Sequence, residues 1–344
     1  MSGNNRLVTQ VGRLTLPNPV ICGSGEPVMT EAGIRAALAA GAAGVIARSV
    51  NERPEAARQL DLADYITLDL EGARSLFNRS GLIGRDTADW FGAIAAIDRE
   101  AAAAGRFVAA SIVFAGVEGA VEIAGMARAA GLRVFELNVG APHASEASPG
   151  AISQETDPAR PRELVARVKA AAGDMALWVK LTGLSSNLPA LALAAREGGA
   201  DAVCMMGRFM AMMPDLETFA PVLGTSAAYG GNWALPIVCR FLALSRRAVG
   251  ADFPLMGTNG VRSGLDVARM ALSGASAVEV LSIVMHEGFG AIARMIAELD
   301  AFLAARDISF AGLVGRTADR LAGYGAQSVL PGRWREFVPR ETLG

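Results

Sequence analysis

Residues 255–280, LMGTNGVRSGLDVARMALSGASAVEV, run from a short apolar stretch through a glycine turn into a segment of helical period, and then into a second apolar stretch. That is the pattern of a strand, a crossover helix and a second strand. The same alternation repeats along the chain. Strand candidates are PVICGSG (19–25), GVIARSV (44–50), FVAASIVF (107–114), VFELNVG (134–140), ALWVKLTG (176–183), DAVCMMG (201–207), FPLMGTNG (253–260) and AVEVLS (277–282). Helix-like segments follow them, such as TEAGIRAALAAG after the first and FGAIARMIAELDAFLAA after the eighth. Strands this short and continuously apolar fit a parallel sheet covered by helices. Eight such units without a linker-like break predict an α/β fold, a single (β/α)8 TIM barrel rather than an open doubly wound sheet. Residues 51–85 read as a long loop after the second strand. The expected organisation is a barrel over 1–305 and a C-terminal tail over 306–344, carrying Pro331 and Pro339, that packs on the barrel.

Composition narrows the function. The chain is 52% hydrophobic, and its 32 Lys and Arg against 34 Asp and Glu leave a net charge of -2. No general attraction to nucleic acid or to an anionic membrane is expected from that balance. No run approaches the roughly 18 apolar residues of a membrane span, and the N-terminus lacks a signal-peptide core, so a cytoplasmic protein is expected. Cys22, Cys204 and Cys239 form no CxxC, which argues against an iron-sulfur or zinc site, and two histidines rule out a multi-histidine metal centre. No metal is expected.

Barrel active sites lie at the carboxyl ends of the strands. Ser24, Arg48, Ser111, Asn138, Lys180, Asn259 and Ser282 fall there, although small polar residues end strands in any protein. Lys180 stands apart because it sits inside an otherwise apolar strand, where an ammonium needs an anionic or electron-rich partner; a structural ion pair is the competing reading. The glycine-rich turns after strands seven and eight suit a phosphate, which barrels often bind at those two loops.

The segments LTLPNPVICGSG, LFNRSGLIGRDTADWF, FVAASIV, FELNVGAPH, WVKLT, YGGNWALPIVCR and LMGTNGVRSGLDVARMALSGASAVEV occur in an order and spacing that resemble the dihydroorotate dehydrogenase superfamily. These are FMN-dependent TIM barrels, and the dihydropyrimidine dehydrogenase branch is the most similar. The resemblance runs from residue 11 to about residue 290. It implies an FMN-binding barrel. Gly23, Ser24 and Gly25 would contact FMN, as would Arg48, which stands where the family usually has lysine. Ser111 and Asn138 would touch the isoalloxazine, and Lys180 would steady negative charge at flavin N1. Gly231, Gly257, Asn259, Gly260, Leu281 and Ser282 would hold the ribityl phosphate. Asn78 and Asn138 would bind the substrate amide.

Departures concentrate on the substrate side. Gly207 and Arg208 stand where the family grips a pyrimidine with asparagine and threonine or serine, and Ala141 replaces the catalytic cysteine or serine. His143, in an extended segment after Pro142, would face the same side as Ala141 and could exchange the proton that Ala141 cannot. The alternative is that His143 only holds the loop. Met206, in the methionine-rich stretch 204–219, together with Arg208, is a candidate for lining a pocket for a larger or less polar substrate, Arg208 gripping its carboxylate or carbonyl; core packing is the other reading of the methionines.

The expected function is therefore an FMN-dependent oxidoreductase acting on CH-CH bonds. It would move a hydride between flavin N5 and a carbon-carbon bond next to a carbonyl, in a small cyclic or carboxylated substrate other than the standard pyrimidine. His143 and Lys180 are its catalytic candidates. A flavin-dependent monooxygenase or oxidase, a non-catalytic flavin-binding subunit, and a phosphate-binding barrel without flavin are the competing readings. Expected partners are a small-molecule substrate, a possible separate electron-transfer protein and a second copy in a homodimer, with no nucleic acid and no membrane.

Overall fold

The computed structural model describes residues 6–53, 61–70, 72–140 and 157–343. In chain order its strands are β1 (Thr9–Val11), β2 (Leu14–Leu16), β3 (Val20–Cys22), β4 (Gly44–Ile46), β5 (Asp64–Leu70), β6 (Ala73–Arg79) and β7 (Phe107–Val113). They continue as β8 (Val134–Asn138), β9 (Ala176–Lys180), β10 (Ala202–Met205), β11 (Met210–Ala211), β12 (Ala227–Gly230), β13 (Leu255–Thr258) and β14 (Ala275–Val280). Helices α1 (Glu31–Ala39), α2 (Thr87–Ala102), α3 (Val117–Ala129), α4 (Ala159–Ala172), α5 (Leu188–Glu197), α6 (Leu235–Val249), α7 (Gly264–Leu272), α8 (Ser282–Glu287) and α9 (Gly290–Ala304) cover the outside.

β3, β4, β7, β8, β9, β10, β13 and β14 close into a parallel barrel, β14 pairing back onto β3 through Val278 and Val20. These are the eight strands expected from the sequence, and the fold is the TIM barrel. Side chains alternate along each strand, so every second residue enters the barrel. Phe107, Val134, Trp178, Cys204, Met256 and Ala277 fill it in one buried cluster, with Phe107 edge-on to Trp178 at 5.0 Å between ring centres. Gly44 is required beside Phe107, because a Cβ there would come within 2.1 Å of the phenyl ring carbons. The β1–β2 hairpin plugs the amino-terminal end with Val11 and Leu16. The opposite faces of the strands pack under the helices in a second, larger cluster.

Helix starts follow local chemistry. Asp86 accepts hydrogen bonds from the backbone of Ala88 and Asp89 to begin α2, and Ser263 and Asp266 form a reciprocal capping box on α7. Arg85 pairs with Glu31 on the surface at 2.9 Å.

Residues 51–85 depart from the expectation of a plain loop. They contain β5 and β6, paired antiparallel in full register from Asp64↔Arg79 to Leu70↔Ala73. β6 then pairs with β12, and β12 with β11, so segments following β4 and β10 build one four-stranded sheet over the carboxyl-terminal mouth of the barrel. Behind α9 the chain packs through Phe310, Leu313 and Ala318, with Gly315 and Thr317 donating backbone hydrogen bonds to Ala271 and Leu272. From Asp319 to residue 343 the side chains are exposed, apart from half-buried Val338.

Candidate active site

An open cavity of about 150 Å³ lies between the barrel mouth and the four-stranded sheet. Its walls come from the ends of the barrel strands and from Leu76, Asn78, Ala228 and Gly230 of the overlying sheet.

One end of the cavity is basic. A smaller cleft continuous with it is lined by Arg74, Gly230, Gly231, Arg262, Ser282 and His286 among others, and no acidic side chain lines it. Partial burial, and then the positive charge of Arg74 and Arg262, lowers the His286 pKa. Gly260, next to this cleft, has φ +88, and a Cβ there would come within 2.5 Å of the Leu235 nitrogen, so only glycine fits the turn. Asn259 fastens the same turn to the loop after β10, donating from Nδ2 to the Met206 carbonyl at 2.7 Å and also to the Gly207 carbonyl.

A second wall gathers two arginines. Arg48 is 5% exposed and pairs with Glu26 at 3.2 Å, while its Nε has no hydrogen-bond acceptor among the described residues. Arg208 donates to the Ser80 hydroxyl at 2.5 Å. Burial, and then the like charge of Arg48, pushes Arg208 down to about 10, so it remains protonated at neutral pH. Both guanidiniums share the cavity wall with Asn78 and Asn138.

At the floor of the cavity stands Lys180. Alternation along β9 places it one layer above Trp178, inside the barrel. The same alternation on β8 and β14 points Glu136 and Glu279 at it: Lys180 Nζ is 2.8 Å from Glu136 Oε2 and also pairs with Glu279 Oε2. All three are buried. Burial opposes the charge on Lys180, but the two carboxylates more than reverse this, and its pKa lies above the usual lysine value. Burial and the neighbouring charge of Glu136 push Glu279 up to about 7, against the pull of Lys180.

The structure brings most of the expected site residues to this cavity. Gly23, Ser24, Arg48, Asn78, Asn138, Lys180, Arg208, Asn259, Gly260, Leu281 and Ser282 line it, and Gly231 lines the basic cleft. Four candidates stand off it. Ser111 lies one layer below, bonded to Glu136 and Ser49. Gly25 packs against Leu281 and Gly257 against Met270. Met206 is 1% exposed, packed in the cluster under the helices, and its carbonyl accepts from Asn259. Ala141, Pro142 and His143 lie outside the described residues. Glu26, Ser49, Ser80, Glu136 and Glu279 were not anticipated from the sequence.

A parallel eight-stranded barrel with its polar residues at the carboxyl-terminal mouth defines a barrel enzyme of the α/β class. Its sequence matches the dihydroorotate dehydrogenase family over residues 6–303, and the chain belongs to that family. It is 29% identical over 311 residues to the catalytic subunit of dihydroorotate dehydrogenase B (NAD(+)) of Methanocella arvoryzae, covering 90% of this chain and 97% of that protein. The corresponding subunit of Methanothermobacter thermautotrophicus is 28% identical over 309 residues, covering 88% and 95%. Dihydroorotate dehydrogenase A (fumarate) of Limosilactobacillus reuteri is 31% identical over 162 residues, which span 47% of this chain and 51% of that protein.

Proposed function

We propose that the chain is an FMN-dependent oxidoreductase of the dihydroorotate and dihydropyrimidine dehydrogenase type, acting on a carbon-carbon bond next to a carbonyl in a small anionic ring compound. The observation that carries this is a single cavity with a basic, glycine-lined phosphate end, a buried ammonium at its floor, and a two-arginine wall opposite. The residues fit the cofactor. The charged groups lining the smaller cleft are all basic, which suits one phosphate, and Gly230, Gly260 and Ser282 let the backbone approach it. Bound FMN supplies the hydride acceptor or donor.

Everything else falls to side chains of the protein. Arg208 holds a carboxylate or ring carbonyl of the substrate, its fixed fork setting the orientation, while Arg48 contacts FMN from the same wall. Asn78 and Asn138 offer amide donors and acceptors to the ring edge. Lys180 supplies positive charge at the floor, where burial strengthens its field. His143 exchanges the proton on the neighbouring carbon, the role for which Ala141 has no side chain. Arg208, a cation where the family has a neutral threonine or serine, favours a substrate other than the standard pyrimidine. The relatives named as catalytic subunits support a separate electron-transfer partner, and a homodimer is the expected assembly.

Purified protein should be yellow, should release FMN on denaturation, and its flavin should bleach anaerobically with a saturated ring carboxylate such as dihydroorotate or a close analogue. Flavin that binds but is reduced by no compound with a CH-CH bond next to a carbonyl would overturn the reaction while leaving the cofactor. A protein that takes up no FMN overturns both.

A further inference from the structure

Glu136 and Glu279 have no part in the reading above, yet they are the most deeply buried charged groups at the cavity floor, at 0% and 1% exposure. Lys180 balances one of them. The cluster therefore carries either an uncompensated negative charge in a dry site, which is costly, or one proton. Among the described residues no barrel strand supplies a further cation to this cluster. Facing Glu279 are Glu136 on β8, Lys180 on β9, and the thiols of Cys22 on β3 and Cys204 on β10. Both thiols are kept neutral by burial and then by the charge of Glu279. Leu255–Thr258 on β13 carries no ionisable side chain.

The cluster is also wired to the cavity. Ser111 Oγ donates to Glu136 Oε1 at 2.9 Å, Ser111 and Ser49 hydroxyls lie 2.8 Å apart, and Ser49 and Ser24 hydroxyls lie 3.1 Å apart. Ser49 and Ser24 line the cavity. Each hydroxyl donates one hydrogen bond and accepts others, so the row is continuous from solvent-facing Ser24 to the buried carboxylate.

We propose that Glu136, Lys180 and Glu279 form a one-proton store, connected to the cavity by Ser111, Ser49 and Ser24, which fills when negative charge develops on the redox ring above Lys180. One O–H bond forms at a carboxylate oxygen. Each serine receives a proton from the cavity side and passes its own inward; the proton originates in water at the cavity mouth, and the electrons come from the reductant. The net charge of the cluster changes from -1 to 0, offsetting the charge added above it. The raised pKa of Glu279, at about 7, places the change within the neutral range.

The proposal rests on the flavin reading, so its test has an arm that does not. In FMN-loaded protein, the pH dependence of the midpoint potential counts protons taken up per two electrons. About one pH unit above the Glu279 value of about 7, where that carboxyl is mostly ionised before reduction, wild type should take up about one more than Glu279→Gln, the largest change a single carboxyl permits. Ser49→Ala should keep the wild-type count and slow proton uptake after rapid reduction by roughly tenfold or more. Equal counts in wild type and Glu279→Gln would overturn the store, and unchanged uptake rates in Ser49→Ala would overturn the wire. In the apoprotein, infrared difference spectra between pH 5 and pH 9 should show a protonated-carboxyl band that titrates near neutrality and is missing in Glu279→Gln. Its absence from wild type overturns the store whether or not FMN binds, whereas failure to bind FMN overturns only the cofactor reading.

Discussion

Replacing Lys180 with methionine should make stability depend steeply on pH. The substitution keeps most of the stem volume above Trp178 and removes only the ammonium that holds Glu136 and Glu279 together. Removing one partner of a buried ion pair costs about 3–5 kcal/mol when the remaining charge has no alternative. Here the carboxylates have one, which is protonation. A carboxyl that stays protonated in the folded state binds a proton the unfolded chain releases above about pH 4.3, so stability falls by about 1.4 kcal/mol per pH unit. A raised folded pKa therefore gives stability that is present below about pH 4.3 and lost as the pH rises. From pH 5 to pH 8 the variant should lose about 4 kcal/mol more than wild type, in which one carboxylate is already balanced by Lys180. Since domains hold about 5–15 kcal/mol in all, the variant should be folded at pH 5 and close to unfolding at pH 8. Urea titrations followed by tryptophan fluorescence at pH 5, 6.5 and 8 measure this, with Trp178 lying directly below the site. An equal loss at all three pH values would refute the electrostatic account of Lys180 and leave it a packing residue.

Other consequences are simpler to read. Arg208→Met should weaken binding of a ring carboxylate by roughly 10- to 100-fold while FMN affinity stays within a few-fold, since a charged hydrogen bond is worth about 1.5–3 kcal/mol; isothermal titration with each ligand separates the two. Gly44→Ala should lower stability by about 1–3 kcal/mol through overpacking against Phe107, read as a fall in urea midpoint at unchanged slope. Wild type should itself lose stability between about pH 4.5 and pH 7 as Glu279 resists ionisation, and Glu279→Gln should flatten that part of the profile. His143→Ala should leave FMN bound but slow the half-reaction at the substrate carbon by roughly 100-fold, with loss of the limb near pH 6–7 in the rate profile.

The barrel was legible because its strands are short, apolar throughout and separated by helices of clear period, as in ALWVK (176–180) followed by the segment that forms α5. The sheet over its mouth was not. DYITLDL (64–70) carries an aspartate near each end, and the other half of its sheet comes from the far side of the chain, where MA (210–211) and AAYG (227–230) are too short to read alone. Reading barrel strands as continuous apolar runs also hid their two-residue period. Counting back from Lys180 to Trp178, and likewise from Asn138 through Glu136 to Val134, puts both charges on the inward face, and Glu279 follows Ala277 in the same way. That signal was available. Lys180 was singled out as a buried cation needing an anionic partner, and two such partners stood at the same inward layer, on β8 and β14. Met206 misled because a methionine beside a strand end suits a pocket and a core equally well until the direction of the chain is known.

In the proposed function the basic, glycine-lined end of the cavity holds the single phosphate of a flavin whose ring lies over Lys180. Titration of the apoprotein with FMN and with riboflavin, followed by flavin fluorescence, tests it directly. One FMN should bind per chain, roughly 100-fold or more tighter than riboflavin, because the phosphate adds at least two charge-assisted hydrogen bonds. Equal affinity for the two, or no binding of either, would contradict the claim.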